Sequence, residues 1–240
     1  MYKYLRIGLI ALITVLISCT VNVGVGPVTK EYNKKDKIDK REFFKSVARI
    51  SAHAVVGKGA LVGSAFAYDE NTLITAGHVC VSIYENQLKN ILRNDIQITY
   101  LNNNGKLDVK HNAEIIEIDE PHDICLIELK NHGLIPLGLG KYNSVGVGDT
   151  VYIVGAPAGV MVSAMQGEVM NPSTGTEFGP ILKNKIIVSS AATGGSSGSA
   201  IVNDDGKVVG MLVRGHPTYD HLSIGTTVKT IKRFLKLVGR

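Results

Sequence analysis

Short hydrophobic segments, each bounded by turn-forming residues, dominate the chain from about Val47 onward. Segments of this length, rich in Val, Ile and Thr, predict β-strands rather than helices. The turns between them are polar, and Asp204-Asp205-Gly206 has the composition of a tight hairpin turn. The predicted strands are 47–56, 64–68, 72–75, 96–101, 109–118 and 124–129, then 150–154, 162–169, 186–191, 199–202, 208–213 and 222–228.

Helical spacing of apolar residues occurs in two places. The segment 81–93 carries apolar side chains at a spacing of about 3.6 residues, which predicts a helix after the third strand. The segment 228–238 has an apolar face that includes Ile231 and Phe234, and it predicts an amphipathic helix at the C-terminal end of the sequence.

The order of these elements predicts an all-β fold of two antiparallel β-barrels with a C-terminal α-helix. We expect one folded domain over 45–240, with a first barrel of about six strands at 45–134. A second barrel of about six strands follows at 135–228, and the helix at 228–238 completes the domain. The 26 glycines of the chain suit a fold with many tight turns.

Residues 1–18 have the pattern of a secretory signal peptide. Lys3 and Arg6 form a positive start, and the apolar run 7–17 is too short to span a bilayer comfortably. The run ends in Leu16-Ile17-Ser18-Cys19, which resembles the bacterial lipobox, in which the cysteine is lipidated. This pattern predicts an exported lipoprotein that is anchored to a bacterial membrane and faces the periplasm or the cell exterior. The alternative is a plain signal peptide, or an N-terminal anchor, with an incidental cysteine.

Residues 19–44 mix Gly, Pro and Asn with many Lys and Asp, and they lack apolar periodicity. Such a composition cannot bury a core, so we expect a flexible tether before the folded domain. The chain has a net charge of +5, which we interpret as solvated surface charge because no helix-turn-helix or RNA-binding signature accompanies it. No nucleic-acid partner is therefore expected. The sequence also lacks C-x-x-C, H-E-x-x-H and P-loop patterns, so it predicts no metal site and no cofactor.

Three polar residues stand in settings that suit acyl transfer by a serine. His78 follows a strand and the small residues Ala76 and Gly77, which leave room for an imidazole in a cleft. Asp123 directly precedes a buried strand, where a carboxylate is held in a fixed orientation and accepts the imidazole N–H. Ser197 is the candidate nucleophile.

The nucleophile lies in Gly194-Gly195-Ser196-Ser197-Gly198, a turn that is expected to point backbone N–H groups inward. With Ser197 attacking, the N–H groups of Gly195 and Ser197 would form the oxyanion hole. The same segment also fits G-x-S-x-G, the nucleophile elbow of α/β-hydrolases, with Ser196 attacking. That alternative needs helices that alternate with parallel strands, and the predicted helices are too few.

These motifs, in this order, resemble the chymotrypsin-like (trypsin-like) serine proteases, in which the triad runs His, Asp, Ser along the chain. Within that family the similarity is to the bacterial high-temperature-requirement, or Deg-type, proteases, and it covers roughly residues 50–238. The similar segments are Thr75-Ala76-Gly77-His78-Val79, Asp123-Ile124-Cys125-Leu126-Ile127, Gly155-Ala156-Pro157-Ala158-Gly159, 188–201 and 204–210.

The resemblance implies a serine endopeptidase that forms an acyl-enzyme with the triad His78, Asp123 and Ser197, and a polypeptide as its partner. Two departures stand out. Ser199 replaces the second of the two glycines that usually follow the nucleophile, and we expect no C-terminal peptide-binding domain after the barrel. A catalytically silent protease-fold binding protein and an esterase that uses the same serine are the alternative functions.

The resemblance also implies a specificity pocket. Its base is expected six residues before the nucleophile, at Ala191, and its wall is expected to include Gly215 and Ser223. Because Ala191 is uncharged, we expect cleavage after small or medium apolar residues. The strand formed by Val213, Arg214 and Gly215 is expected to pair with the substrate backbone.

Two cysteines lie close to the candidate triad in the sequence. Cys80 comes two residues after His78, and Cys125 comes two residues after Asp123. A His–Asp hydrogen bond would bring the two segments together. The sequence leaves open whether the cysteines form a disulfide or remain two buried thiols.

Overall fold

The computed structural model describes residues 39–240 except 103, 161, 176–178 and 180–181. The predicted signal peptide, Cys19 and most of the predicted tether lie outside the described residues. Within the described part, no helix is both long enough and apolar enough to cross a membrane. The elements are β1 (Val47–Ala54), β2 (Ala60–Ala67), β3 (Thr72–Thr75), α1 (Gly77–Leu88), β4 (Leu92–Leu101), β5 (Leu107–Lys110), β6 (Glu114–Asp119), β7 (Ile124–Glu128), β8 (Thr150–Gly155), β9 (Ser163–Asn171), β10 (Lys185–Ser189), β11 (Ala200–Asn203), β12 (Val208–Gly215), β13 (Leu222–Thr227) and α2 (Val228–Leu237).

The strands of the first half form one antiparallel sheet in the order β5-β4-β1-β2-β3-β7-β6. The sheet has seven strands where we expected about six, because the predicted strand 109–118 is in fact β5 and β6. Asn112 separates them: its φ of 58° is left-handed, and its backbone N–H donates to the Asp95 carboxylate at 3.1 Å. In the described residues β5 and β6 do not pair with each other, so hydrogen bonding leaves this sheet open.

The helix of the first half begins earlier than predicted. α1 covers Gly77–Leu88 rather than 81–93, so His78 is its second residue. Leu88, which contributes to the predicted apolar face, is 66% exposed, whereas Leu92 is buried as the first residue of β4. Pairing of β4 with β1 therefore outweighs the helical spacing of these apolar residues.

The strands of the second half close into a six-stranded antiparallel barrel, β10-β13-β12-β11-β8-β9, as predicted. Ile153 and Leu212 belong to an apolar cluster in this half that water does not reach. The predicted C-terminal helix α2 follows β13 directly, and the Thr227 hydroxyl caps it by accepting the Thr230 backbone N–H. Phe234 of α2 is buried, and burial of a side chain of that size stabilises the fold by about 1.5–3 kcal/mol. The molecule is thus all-β, in two halves, with a C-terminal helix.

The folded domain begins before the predicted end of the tether. Lys40–Ser46 form a 3₁₀ helix that runs into β1. Phe43 is only 4% exposed, and its ring lies 6.4 Å from the ring of Tyr152. The last residues of the predicted tether 19–44 therefore belong to the domain, because Phe43 is part of its apolar core.

A disulfide joins Cys80 in α1 to Cys125 in β7, which decides between the two arrangements that the sequence leaves open. The cross-linked residues are 45 positions apart. A disulfide of this kind stabilises a fold by about 2–4 kcal/mol, mainly because it restricts the unfolded chain. It also ties the helix that carries His78 to the strand that follows Asp123.

Candidate active site

His78, Asp123 and Ser197 meet where the two halves of the domain face each other. β3 and β7 are neighbouring antiparallel strands in which Thr75 pairs with Cys125, so the residues just beyond this pair lie side by side. His78 is in α1, which follows β3, and Asp123 directly precedes β7. Ser197 lies in the loop between β10 and β11.

A continuous chain of hydrogen bonds links the three side chains. His78 Nδ1 lies 3.0 Å from each carboxylate oxygen of Asp123, and His78 Nε2 lies 2.9 Å from Ser197 Oγ. Because a carboxylate only accepts, Nδ1 carries the proton and Nε2 is left to accept from the serine hydroxyl. The His78 backbone N–H also donates to Asp123 Oδ1 at 2.8 Å. The His78 side chain is 46% exposed and the Asp123 side chain 19%, so the imidazole faces the cleft with the carboxylate behind it.

The backbone at Asp123 adopts a conformation that needs support. Its φ of 61° lies in the left-handed region, which most residues other than glycine avoid and which Asp and Asn adopt more readily than the rest. The carbonyl of the preceding residue, His122, accepts from Lys185 Nζ at 3.2 Å and from Thr226 Oγ1 at 2.8 Å. Lys185 Nζ also donates to Thr226 Oγ1 at 2.8 Å, and Lys185 is only 6% exposed. Two residues of the second barrel, neither of them predicted from the sequence, therefore hold the turn that presents Asp123.

The electrostatic surroundings keep the Asp123 carboxyl ionised. Burial alone would raise its pKa, but hydrogen bonds from His78 and the positive charge of Lys185 hold the pKa below its usual value. Burial lowers the pKa of the Lys185 ammonium, and the charge of Asp123 opposes that shift. The carboxylate is therefore available near neutral pH as the acceptor for the imidazole N–H.

Every peptide carbonyl of the nucleophile loop, residues 194–197, accepts a hydrogen bond. Because the N–H of a trans peptide points opposite to its carbonyl, these anchors also set the directions of the N–H groups. The N–H groups of Gly195 and Ser197 donate to no other group among the described residues, so both are free to receive a ligand oxygen. The anchoring donors are the Ala158 N–H for Gly194, the Ser64 hydroxyl for Gly195, the Ser199 N–H for Ser196 and the Ser64 N–H for Ser197, at 2.7, 2.7, 3.0 and 2.7 Å.

Two glycines of this loop are required by conformation and space. Gly195 and Gly198 have φ values of 87° and 90°, and a Cβ at Gly198 would collide with the carbonyl of Ser64. A neighbouring glycine, Gly155, makes room for Ser199, the serine that replaces the second glycine expected after Ser197. The Ser199 hydroxyl occupies the place where a Cβ of residue 155 would lie, and Gly155 provides that room.

An open cleft of about 400 Å³ adjoins Ser197. The predicted substrate-pairing segment 213–215 forms part of its wall, and the other walls come from α1 and from the nucleophile loop. The lining residues are His78, Ala192, Thr193, Gly194, Ser196, Ser197, Leu212, Val213, Arg214, Gly215 and His216.

Two residues of the predicted specificity pocket do not line this cleft among the described residues. Ala192, one position later than the predicted base Ala191, lines it beside Gly215. Ser223 is fully buried and donates to the Ser190 carbonyl at 2.7 Å, so it supports the wall from behind. The chain turns directly after β10, and counting back from the nucleophile therefore does not determine which side chain faces the cleft.

The fold and the site together define a chymotrypsin-like protein: two β-lobes with a hydrogen-bonded His, Asp and Ser between them. The family model for the trypsin-like peptidase domain matches residues 63–211, which is more than half of the chain. The chain belongs to the trypsin-like peptidase family.

Curated relatives are HtrA-type and Deg-type serine proteases. The chain is 35% identical over 107 residues to Serine protease HTRA1 of Xenopus laevis, which covers 42% of this chain and 23% of that protein. It is 26% identical over 125 residues to a probable periplasmic serine endoprotease, DegP-like, of Chlamydia pneumoniae, which covers 51% of this chain and 25% of that protein. The similarity thus spans about a quarter of the length of these relatives.

Solved structures confirm the Deg-type, chymotrypsin-like fold. The structure of Deg5 superposes with a TM-score of 0.66 at 20% identity, and it covers 83% of this chain and 92% of that one. The HtrA-type protease AlgW with a tripeptide also has a TM-score of 0.66, at 18% identity, and it covers 81% of this chain and 60% of that one.

Replacing Asp123 with Asn should remove a pH-dependent part of the stability. Because the pKa of Asp123 is lowered in the folded chain, its carboxylate stabilises the fold above the ordinary Asp pKa of about 4. That contribution is lost as the pH falls through the folded pKa. The difference in urea midpoint between wild type and Asp123→Asn should therefore be largest near about pH 7 and shrink by about pH 3. A difference that stays constant over this range would contradict the role given to the carboxylate.

Proposed function

We propose that the protein is a serine endopeptidase in which Ser197 is the nucleophile, His78 the general base and Asp123 the residue that orients the base. The observation that carries the proposal is the unbroken hydrogen-bond chain from Asp123 to Ser197 Oγ, beside two N–H groups without a partner in the described residues. A nucleophile, a base, an orienting carboxylate and oxyanion donors are the set that acyl transfer needs. Membership of the trypsin-like peptidase family supports the same assignment.

In the proposed mechanism, Ser197 Oγ attacks the scissile carbonyl carbon while its proton moves to His78 Nε2, 2.9 Å away. The carbonyl oxygen becomes an oxyanion that accepts from the N–H groups of Gly195 and Ser197, and Asp123 stabilises the imidazolium. His78 then protonates the leaving amine as the C–N bond breaks, which leaves an acyl-enzyme. A water molecule that gives its proton to His78 hydrolyses the ester and restores the serine.

The proposed substrate is an extended polypeptide that pairs with the end of β12. β12 extends beyond its neighbour β11, since the last paired residues of the two strands are Met211 and Ala200. Residues 213–215 therefore keep one edge without a strand partner in the described part of the chain, and an extended peptide can add there as a further strand. The Val213 carbonyl lies 3.3 Å from Ser197 Oγ, so a peptide paired with it would present its scissile bond to the nucleophile.

Exchange of the two neighbouring serines tests the proposed nucleophile. Ser197→Ala should abolish peptide turnover and labelling by a fluorophosphonate probe, a loss of about 10⁴-fold or more, while the fold persists. Ser196→Ala should keep most of both, because the buried Ser196 hydroxyl accepts the Thr193 N–H and does not contact His78. The measurement is the labelling rate together with hydrolysis of fluorescein-labelled casein.

The same assay separates the alternative functions. Absence of labelling in the wild-type protein would favour a catalytically silent binding protein. Labelling with turnover of esters but not of casein would favour an esterase. A labelled Ser197→Ala variant together with an unlabelled Ser196→Ala variant would move the nucleophile to Ser196.

The proposed specificity is for small or medium apolar residues before the cleaved bond. Ala192 presents a small apolar side chain at the cleft beside Gly215, and no carboxylate lines the cleft within the described residues. A pocket of this kind offers no charge partner to a Lys or Arg side chain, so apolar side chains are favoured.

Ala192→Asp should move the cleavage preference toward Lys or Arg. A carboxylate in a partly closed cleft needs a cationic partner, which a basic substrate side chain supplies. The preference is measured by digestion of a peptide library and sequencing of the products. Ala191→Asp is the matched control, since its side chain does not line the cleft, and it should leave the preference unchanged. If only Ala191→Asp changed the cleavage preference, Ala191 rather than Ala192 would form the base of the pocket.

We also propose export and a lipid anchor, with residues 1–18 as the signal peptide and Cys19 as the lipidated residue. Relatives in Chlamydia pneumoniae and Haemophilus influenzae are named as probable periplasmic proteases, which supports export. The lipid anchor depends on the lipobox-like Leu16-Ile17-Ser18-Cys19 alone. Stable anchoring takes more than one acyl chain.

Cys19→Ala should block lipid attachment and leave a precursor of altered mobility. Wild type and variant are expressed in a bacterial host with labelled fatty acid in the medium, and the cells are fractionated. The wild-type protein should carry the label and sediment with membranes, and the variant should carry none. An unlabelled wild-type protein found wholly in the soluble fraction would refute the anchor and leave the peptidase proposal untouched.

A further inference from the structure

We infer that Ser64 is a positioning residue, whose hydroxyl holds the nucleophile loop in the conformation that presents the oxyanion hole. The inference rests on the proposed peptidase activity and adds to it a residue that does not touch the substrate. Ser64 belongs to β2, in the half of the domain that carries His78, whereas the loop that it contacts belongs to the other half.

The Ser64 hydroxyl is fully buried and makes two hydrogen bonds. It donates to the Gly195 carbonyl at 2.7 Å and accepts from the Ala156 backbone N–H at 2.8 Å. These directions are fixed, since a carbonyl only accepts and an N–H only donates. One hydroxyl group therefore joins the nucleophile loop to the turn that follows β8.

The main chain of Ser64 is bonded to the same region. Its N–H donates to the Ser197 carbonyl at 2.7 Å, and its own carbonyl accepts from the Thr75 hydroxyl at 2.7 Å. These bonds do not involve the Ser64 side chain, so they persist when that side chain is replaced. A substitution at this position consequently tests the hydroxyl alone.

The Ser64 hydroxyl matters because Gly195, whose carbonyl it holds, also carries one of the two proposed oxyanion donors. The Gly194 carbonyl accepts from the Ala158 N–H, and the Gly195 carbonyl accepts from the Ser64 hydroxyl. The peptides on both sides of Gly195 are therefore fixed. The φ of 87° at Gly195 suits glycine, which rotates with little steric hindrance. Without the Ser64 hydroxyl, the Gly195 carbonyl would be buried without its donor, and the peptide would rotate toward another partner. The peptide that rotates lies between Gly195 and Ser196, so its rotation changes ψ at Gly195, the residue whose N–H is a proposed oxyanion donor. The oxyanion hole would then be held by the Ala158 bond to the Gly194 carbonyl alone on that side, whereas oxyanion stabilisation requires donors fixed in advance.

A purely structural role for Ser64 predicts a different outcome. In that case loss of the hydroxyl lowers the thermal stability while the folded variant keeps the wild-type kcat. A positioning role predicts a fall in kcat with little change in KM, because the oxyanion develops only in the transition state.

The experiment compares Ser64→Ala, Ser64→Cys and wild type in the full chain. Cysteine has nearly the size of serine but is a weak donor, so it preserves the packing better than alanine does. Ser51→Ala is the matched control, because Ser51 is a 1% exposed serine in the adjacent strand β1. The measurements are kcat and KM on succinyl-Ala-Ala-Ala p-nitroanilide, the rate of fluorophosphonate labelling, and thermal unfolding by circular dichroism.

Ser64→Ala should lower kcat and the labelling rate by about 10- to 100-fold, with KM within about twofold of wild type. Ser64→Cys should fall between alanine and wild type, and Ser51→Ala should match wild type. Wild-type rates in folded Ser64→Ala would overturn the inference. If the alanine variant does not fold, wild-type rates in folded Ser64→Cys overturn it instead. A wild-type protein that the probe does not label would overturn the proposed function itself.

Discussion

The hydrogen bonds that cross between the two halves of the domain are the interactions on which the site depends. His78 and Asp123 come from the first half and Ser197 from the second, so the three align only when the halves are held in one register. Ser64 of the first half and Lys185 of the second half fix that register, because each donates a hydrogen bond to a carbonyl of the opposite half. The Ser64 bond is buried and the Lys185 bond is partly buried, and leaving a buried group unpaired costs about 1–3 kcal/mol, which disfavours a shifted arrangement.

The hydrogen bonds between the two halves also stabilise an uncommon backbone conformation at Asp123. Asp123 is left-handed at φ 61°, and the bonds from Lys185 and Thr226 to the preceding carbonyl keep it so. On the same strand, the disulfide at Cys125 attaches this turn to the helix of His78. The unfavourable conformation at Asp123 is therefore stabilised from both halves, and it directs both carboxylate oxygens at one imidazole nitrogen.

The sequence predicts the features that depend on neighbouring residues and misses those that depend on distant ones. The site positions of His78, Asp123 and Ser197 are predictable because each stands in a local motif beside a strand. Ser64 is not, since its partner Gly195 is 131 residues away, and neither is Lys185, 63 residues from the carbonyl that it holds. No periodicity or motif marks either residue as part of the site.

The same limit explains the error in the predicted helix and the different position of the residue that lines the cleft. The helix predicted at 81–93 follows a real apolar spacing, but Leu92 is buried because β4 pairs with β1, a contact that local spacing does not reveal. Ala191 lies six residues before Ser197, whereas Ala192, after the turn that follows β10, lines the cleft. Both differences arise where the path of the chain shifts by a few residues from the one that local spacing predicts.

The two halves also divide the chemistry between them. In the proposed mechanism, the first half supplies the base and its carboxylate on a sheet that a disulfide reinforces, and the second half supplies the nucleophile, the oxyanion donors and the free edge of β12. A hydrogen-bond donor stabilises a transition state best when it does not have to reorient during the reaction. Because Ser64 belongs to the half with His78 yet its hydroxyl binds the Gly195 carbonyl in the other half, one buried contact joins the half that carries the imidazole to the loop that carries Ser197. In the proposed mechanism, proton transfer and oxyanion stabilisation both depend on this junction.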